Sequence, residues 1–171
     1  FKPIKTEIGV PKAVLTSEEI DKLRGLDFAD EEQHLAKARN VFMFMLNTGL
    51  RFSDVKNADL NKLAKHNATG IVTINLIQKK TKNAVEVVLN QEARMMIHRL
   101  RATTESDKLL GKLTMQPINR NLKILAEMAE INKRLSTHVA RHTFATFMFN
   151  ERGLNMDNVA KYIDASYGLM A

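Results

Sequence analysis

The chain has 171 residues, a net charge of +7, 44% hydrophobic and 26% charged residues. That suits one domain with a sizeable core, and no apolar run approaches the length of a membrane span. The lack of Cys excludes disulfides, Cys-based zinc sites and thiol nucleophiles. No Trp and only two Tyr argue against a single-strand stacking platform, while the basic balance points to a polyanionic partner, nucleic acid first.

Residues 1–15, with Pro3 and Pro11, read as an extended lead-in. No signal peptide is visible, and a first residue of Phe1 places the natural start upstream. Thr16 and Glu19 have capping-box spacing, so a helix is predicted from Thr16 to about Gly25. A second helix is predicted over 31–47, with Leu35, Ala38, Phe42 and Met45 on one stripe and Gly49 as a left-handed stop. A short helix follows from Ser53 to about Ala58. The period then changes to two. Runs at 71–77 and 85–89, joined by a polar turn at 79–83, predict a β-hairpin with a lysine-rich tip. Helices return at about 91–103, 117–131, 138–151 and 155–163. The fold class is therefore mainly α with a small antiparallel sheet.

The stretch STHVARHTFAT, Ser136 to Thr146, concentrates the chemistry. His138, Arg141 and His142 are spaced i, i+3, i+4 and share one helix face. No acid accompanies them, and the apolar Phe144, Ala145, Phe147, Met148 and Phe149 follow. A buried helix presenting a basic cluster at its first turns calls for an anion. The i, i+4 histidines could suggest a metal, but the residues between them are Val, Ala and Arg, not the Glu of the familiar zinc helix. Phosphate fits better, because Arg141 offers a bidentate fork and His138 a donor.

Arg51 and Asp54 in NTGLRFSDV read either as a simple ion pair or as an arginine held at a helix N-terminus and fixed by the acid. Lys79, Lys80 and Lys82 either protect an edge strand or put a lysine against DNA. Together, two arginines, a lysine and histidines describe a metal-free phosphoryl-transfer site. No Walker loop and no acidic metal cluster is visible, and the covalent nucleophile must be Ser, Thr or Tyr.

TGLRFSDV resembles the first motif of the tyrosine recombinase (phage-type integrase) family, and THVARHTFAT its second. A hairpin lysine between them is the third expected part. The resemblance runs from about Leu15 to Ser166 and is most like integrases of bacterial mobile elements such as conjugative transposons. It implies the recombinase catalytic-domain fold over 15–171, with an incomplete C-terminal end. Residues 1–14 would be the linker from a missing N-terminal DNA-binding domain. Arg51 and Arg141 would clamp the scissile phosphate, and His138 would contact it and assist proton transfer. Lys80 would protonate the leaving 5′-oxygen, with Lys79 as the competing choice. Asp54 and His142 would support the site. Lys79, Lys82, Arg120, Lys123, Lys133 and Arg134 would contact DNA backbone phosphates.

The C-terminal segment departs from the family pattern. Ile163, Asp164 and Ala165 stand where a Leu-Gly-His stretch is usual. The nucleophile is assigned to Tyr167, which requires residues to be skipped before it. The alternative is a tyrosine outside this sequence, and Tyr162 reads as a core aromatic. The implied activity is site-specific DNA breakage and rejoining through a 3′-phosphotyrosine, with no cofactor. The partner would be double-stranded DNA, bound as a tetramer by the full-length protein, with this part alone a monomer in the bacterial cytoplasm. A type IB topoisomerase, a catalytically silent DNA-binding protein and a metal-dependent hydrolase using His138 and His142 are the rival readings.

Overall fold

One helix sets the core. α2 (Gln33–Thr48) buries Leu35 and Ala38 on one side in its first half, and then every residue from Asn40 to Leu46. The stripe expected from sequence is therefore only its beginning: α4, α5 and α6 all pack against α2, and from Asn40 to Leu46 no face of it is left to solvent. The computed structural model describes residues 13–65, 70–80 and 82–151. The predicted 155–163 helix, Tyr162 and Tyr167 lie outside the described residues.

The other elements follow the sequence closely. α1 (Ser17–Arg24) starts with the capping box of Thr16 and Glu19, both halves formed. α3 spans Phe52–Asn57. A sheet of order β1-β2-β3 is antiparallel throughout, with β1 at Leu63–Lys65, β2 at Val72–Ile77 and β3 at Ala84–Leu89. β2 and β3 pair from Val72↔Leu89 to Ile77↔Ala84, so Val72, Ile74 and Leu76 share the face turned to the core. The predicted hairpin is thus present, but β1 was not foreseen. It is three residues long, and alternation cannot be recognised over so short a run. α4 (Gln91–Arg101), α5 (Met115–Met128) and α6 (Thr137–Glu151) complete the fold. Among the described residues no helix is long and apolar enough to cross a membrane.

Two long-range ties hold the start of the described chain against α6 and the loop before it. The Leu15 N–H donates to Oγ1 of Thr143, a fully buried hydroxyl, at 3.0 Å. Lys133 Nζ donates to the Val14 carbonyl at 2.9 Å and to Glu19 Oε2 at 2.6 Å. Burial works to raise the Glu19 carboxyl, but Lys133 and the Thr16 cap outweigh it, so its pKa lies below the ordinary 4.5. A lowered carboxylate pKa stabilises the fold above the unfolded-state value, and that contribution is lost as pH falls through the folded-state value. Thermal unfolding followed from pH 6 down to about pH 3 should therefore show a steeper acid loss in the wild type than in Glu19→Gln. Equal slopes would remove this staple from the account.

Candidate active site

The site is built on one tight turn. α2 stops at Gly49, whose φ of +66° puts it in the left-handed region, and its N–H donates to the Met45 carbonyl. A Cβ there would stand 2.5 Å from Cδ1 of Phe144 on α6. Gly49 is therefore required twice, by its backbone angle and by the ring seated on it. Its carbonyl is used as well: Arg141 Nη1 donates to Gly49 O at 2.6 Å, and the Arg141 side chain is only 8% exposed. The turn is thus gripped by the second motif through a guanidinium and an aromatic ring.

Arg51 lies two residues beyond Gly49 and is the N-cap residue of α3, in extended conformation and half-buried. One turn on, Asp54 is 1% exposed. Its Oδ1 accepts the backbone N–H of Lys79 at 2.8 Å. That hydrogen bond goes to the hairpin, where the i, i+3 spacing had pointed to the Arg51 guanidinium. The hairpin tip is closed by Gln78 N–H to the Asn83 carbonyl and Lys82 N–H to the Gln78 carbonyl. Lys82 itself takes a φ of +61°. Hydrogen bonds thus lead from Arg141 to Gly49, and, through the short α3, from Asp54 to Lys79. Lys80, next in the chain, is exposed.

The α6 cluster is graded rather than uniform. His138 is exposed, His142 half-buried and Arg141 buried. The helix start is held from α5: Asn119 Oδ1 accepts the Thr137 N–H at 2.9 Å. Asn119 and Thr143 were missed from sequence. A lone Asn on an amphipathic helix and a Thr inside an apolar run carry no periodic signal, and each acts over a sequence separation of 18 or 128 residues.

The expected DNA contacts divide. Lys123, Lys133 and Arg134 line one groove of about 400 Å³ between α5 and the loop leading to α6. Arg120 is exposed one turn earlier on α5. Lys133 differs from the others in already binding Glu19 and Val14 inside the protein. Lys79 and Lys82 are exposed at the hairpin. Among the described residues no three His, Cys, Asp or Glu side chains converge to hold a metal ion.

Removal of the Asp54 carboxylate should free the hairpin. Asp54→Ala leaves the Lys79 N–H without its acceptor and should cost about 1–3 kcal/mol, whereas Asp54→Asn keeps an acceptor oxygen. Hydrogen exchange at the Lys79 amide should speed up in the alanine variant and change little in the asparagine variant. An unchanged rate in Asp54→Ala would show that the hairpin is held by other means.

The profile of the phage integrase family matches residues 13–166 of this sequence. The chain belongs to the phage integrase family. No match to a curated protein sequence is found. Among solved structures, the XerH site-specific recombinase bound to difH substrate superposes with a TM-score of 0.69 at 17% identity, covering 87% of this chain and 46% of XerH. The XerA recombinase gives 0.66 at 20% identity, covering 88% and 55%. The Tn1549 transposon integrase in complex with a circular intermediate DNA gives 0.65 at 18% identity, covering 92% and 59%. The integrase chain described above thus has the tyrosine recombinase catalytic-domain fold, as its motifs implied, and spans about half the length of these proteins.

Proposed function

We propose that this integrase-family chain is the catalytic part of a site-specific DNA recombinase that breaks and rejoins duplex DNA through a 3′-phosphotyrosine. The observation that carries the reading is the seat of Arg141 on the Gly49 carbonyl, two residues from Arg51. Arg141 is thereby tied to the turn that leads into Arg51, and a guanidinium from each would offer a planar fork suited to phosphate oxygens. The Asp54–Lys79 bond ties the backbone next to Lys80 to the helix that Arg51 caps, which supports a role for Lys80 beside Arg51.

The roles follow from charge. Attack by a tyrosine Oη on phosphorus forms a new P–O bond and places further negative charge on the non-bridging oxygens. Arg51 and Arg141, fixed before the reaction, neutralise that charge. The P–O5′ bond then breaks, and the leaving oxygen takes its proton from the Lys80 ammonium to give a free 5′-hydroxyl. His138, exposed on the same helix face as Arg141, donates to a phosphate oxygen and assists removal of the tyrosine proton. Attack by a 5′-hydroxyl on the phosphotyrosine reverses these steps on a new strand. One phosphodiester is exchanged for another ester of similar energy, so the reaction needs no ATP, and the arginines supply the charge stabilisation that a metal ion would otherwise give. Tyr167 is the proposed nucleophile within this sequence. The partner is duplex DNA, engaged by a tetramer of the full-length protein in the bacterial cytoplasm.

The test is recombination between two attachment sites in the presence of a chelator. Recombinant joints formed under those conditions support the proposal. Relaxation of supercoils at any sequence, without joints, would replace it with a topoisomerase, and abolition by the chelator would replace it with a metal-dependent hydrolase.

A further inference from the structure

A second group of cations stands along the first half of α2. Arg39 precedes Gly49 by ten residues, about 15 Å along the helix at 1.5 Å per residue. Its guanidinium is fixed by neighbours that are not acids. It lies over the Phe28 ring, 4.7 Å from the centroid, and Nη1 donates to the Arg24 and Leu26 carbonyls. Among the described residues Arg39 forms no ion pair with a carboxylate.

The guanidinium borders a groove of about 500 Å³ that also includes Lys37, Asn40, His98, Arg99 and Asp27. Arg24 lies at its margin but is already paired with Asp21 and Glu92. That leaves Lys37, Arg39 and Arg99 against the single acid Asp27. Burial, and then the nearby Arg99, lower the Arg39 pKa, with Asp27 opposing them.

Asn40 supplies an independent sign. Its side chain is 93% buried (7% exposed), and Oδ1 has no hydrogen-bond partner among the described residues. A buried carbonyl oxygen without a partner costs free energy, and an anion relieves that cost only once the amide turns to present its nitrogen. Rotation about its terminal torsion exchanges oxygen and nitrogen, so the amide can donate to an anion or accept from a hydroxyl. Forks from two arginines, an ammonium and an amide in one concavity match the several acceptor oxygens of a phosphate better than the two of a carboxylate.

We propose that this groove between α1, α2 and α4 is a second phosphate-binding site, separate from the Arg51–Arg141 pair. The phosphate comes either from a duplex DNA backbone or from a free phosphorylated small molecule, and the two sources separate experimentally. The double variant Lys37→Gln/Arg99→Gln removes two cations whose side chains hold no described structural hydrogen bond. Arg39 is left intact because it also secures the loop after α1. Inorganic phosphate and ATP are titrated against wild type and variant by NMR chemical shift, and binding of a duplex without an attachment site is measured across a salt series.

For a DNA backbone contact, the variant should lower the log–log salt slope by about 1–2. For a free phosphorylated ligand, the wild type should saturate with phosphate or ATP, the variant should bind at least about ten-fold more weakly, and the DNA slope should not change. Absence of saturation in the wild type, together with an unchanged DNA slope in the variant, overturns the proposal. Cleavage of an attachment-site duplex at saturating protein depends on Arg51 and Arg141 and should persist in the variant. A failure of the groove is therefore distinct from a failure of the recombinase reading.

Discussion

Gly49→Ala is expected to destabilise the protein by about 2–5 kcal/mol and to abolish strand cleavage at temperatures where the wild type is folded. Two costs add. A Cβ in the left-handed region costs about 1–2 kcal/mol. The new methyl would also stand 2.5 Å from the Phe144 ring, and overpacking of this kind typically costs about 1–3 kcal/mol. The two are separable. Gly49→Asn eases the backbone cost, because Asn tolerates positive φ, but keeps the collision. Phe144→Leu in the Gly49→Ala background eases the collision but keeps the backbone cost. Urea unfolding of the four proteins should give a double variant more stable than Gly49→Ala alone. If Gly49→Ala unfolds at the wild-type urea concentration, the seat of α6 on the turn is not as described.

Arg141→Ala is expected to lower the rate of strand cleavage on the order of 10²–10³-fold or more, with duplex affinity changed only a few-fold. Rate and affinity part because charge on phosphorus is greatest in the transition state, whereas binding is shared among many backbone contacts. The variant also strands the Gly49 carbonyl, at a cost of about 1–3 kcal/mol. Arg141→Lys resolves the ambiguity. It keeps the positive charge but loses the fork that holds the Gly49 carbonyl and is proposed to hold the phosphate as well. Single-turnover cleavage by the lysine variant should remain well below wild type. Full activity in either variant would remove Arg141 from the mechanism.

The sequence carried the parts of this account that are local. The Thr16–Glu19 box and the left-handed Gly49 are each set within about four residues, and both formed as expected. The β2–β3 hairpin was legible from its alternation and its polar turn. The i, i+3, i+4 spacing of His138, Arg141 and His142 fixed their common face before any tertiary packing was known. What the sequence left obscure depends on distant neighbours. α2 is buried at every residue from Asn40 to Leu46, and that depends on α4, α5 and α6 packing against it. Lys133 reads as one more exposed cation until Glu19 and Val14 are brought to it. The Asp54 carboxylate, three residues from Arg51, finds its hydrogen bond 25 residues away at Lys79. The likeness to the integrase family supplied roles for the residues, but not these supporting contacts.

The proposed reaction is attack by a tyrosine on a phosphate held by Arg51 and Arg141. The most direct measurement incubates the full-length protein with a nicked attachment-site duplex, denatures the mixture in hot detergent, and seeks a protein–DNA adduct whose attachment residue is identified by mass spectrometry. The expected product is an adduct on tyrosine, joined to a 3′-phosphate and leaving a free 5′-hydroxyl, with Tyr167 as the residue attached. An adduct on a tyrosine outside this sequence would keep the chemistry and displace Tyr167. Tight binding without any adduct, on a duplex shown to carry the attachment site, would contradict the claim and leave a DNA-binding protein without catalysis.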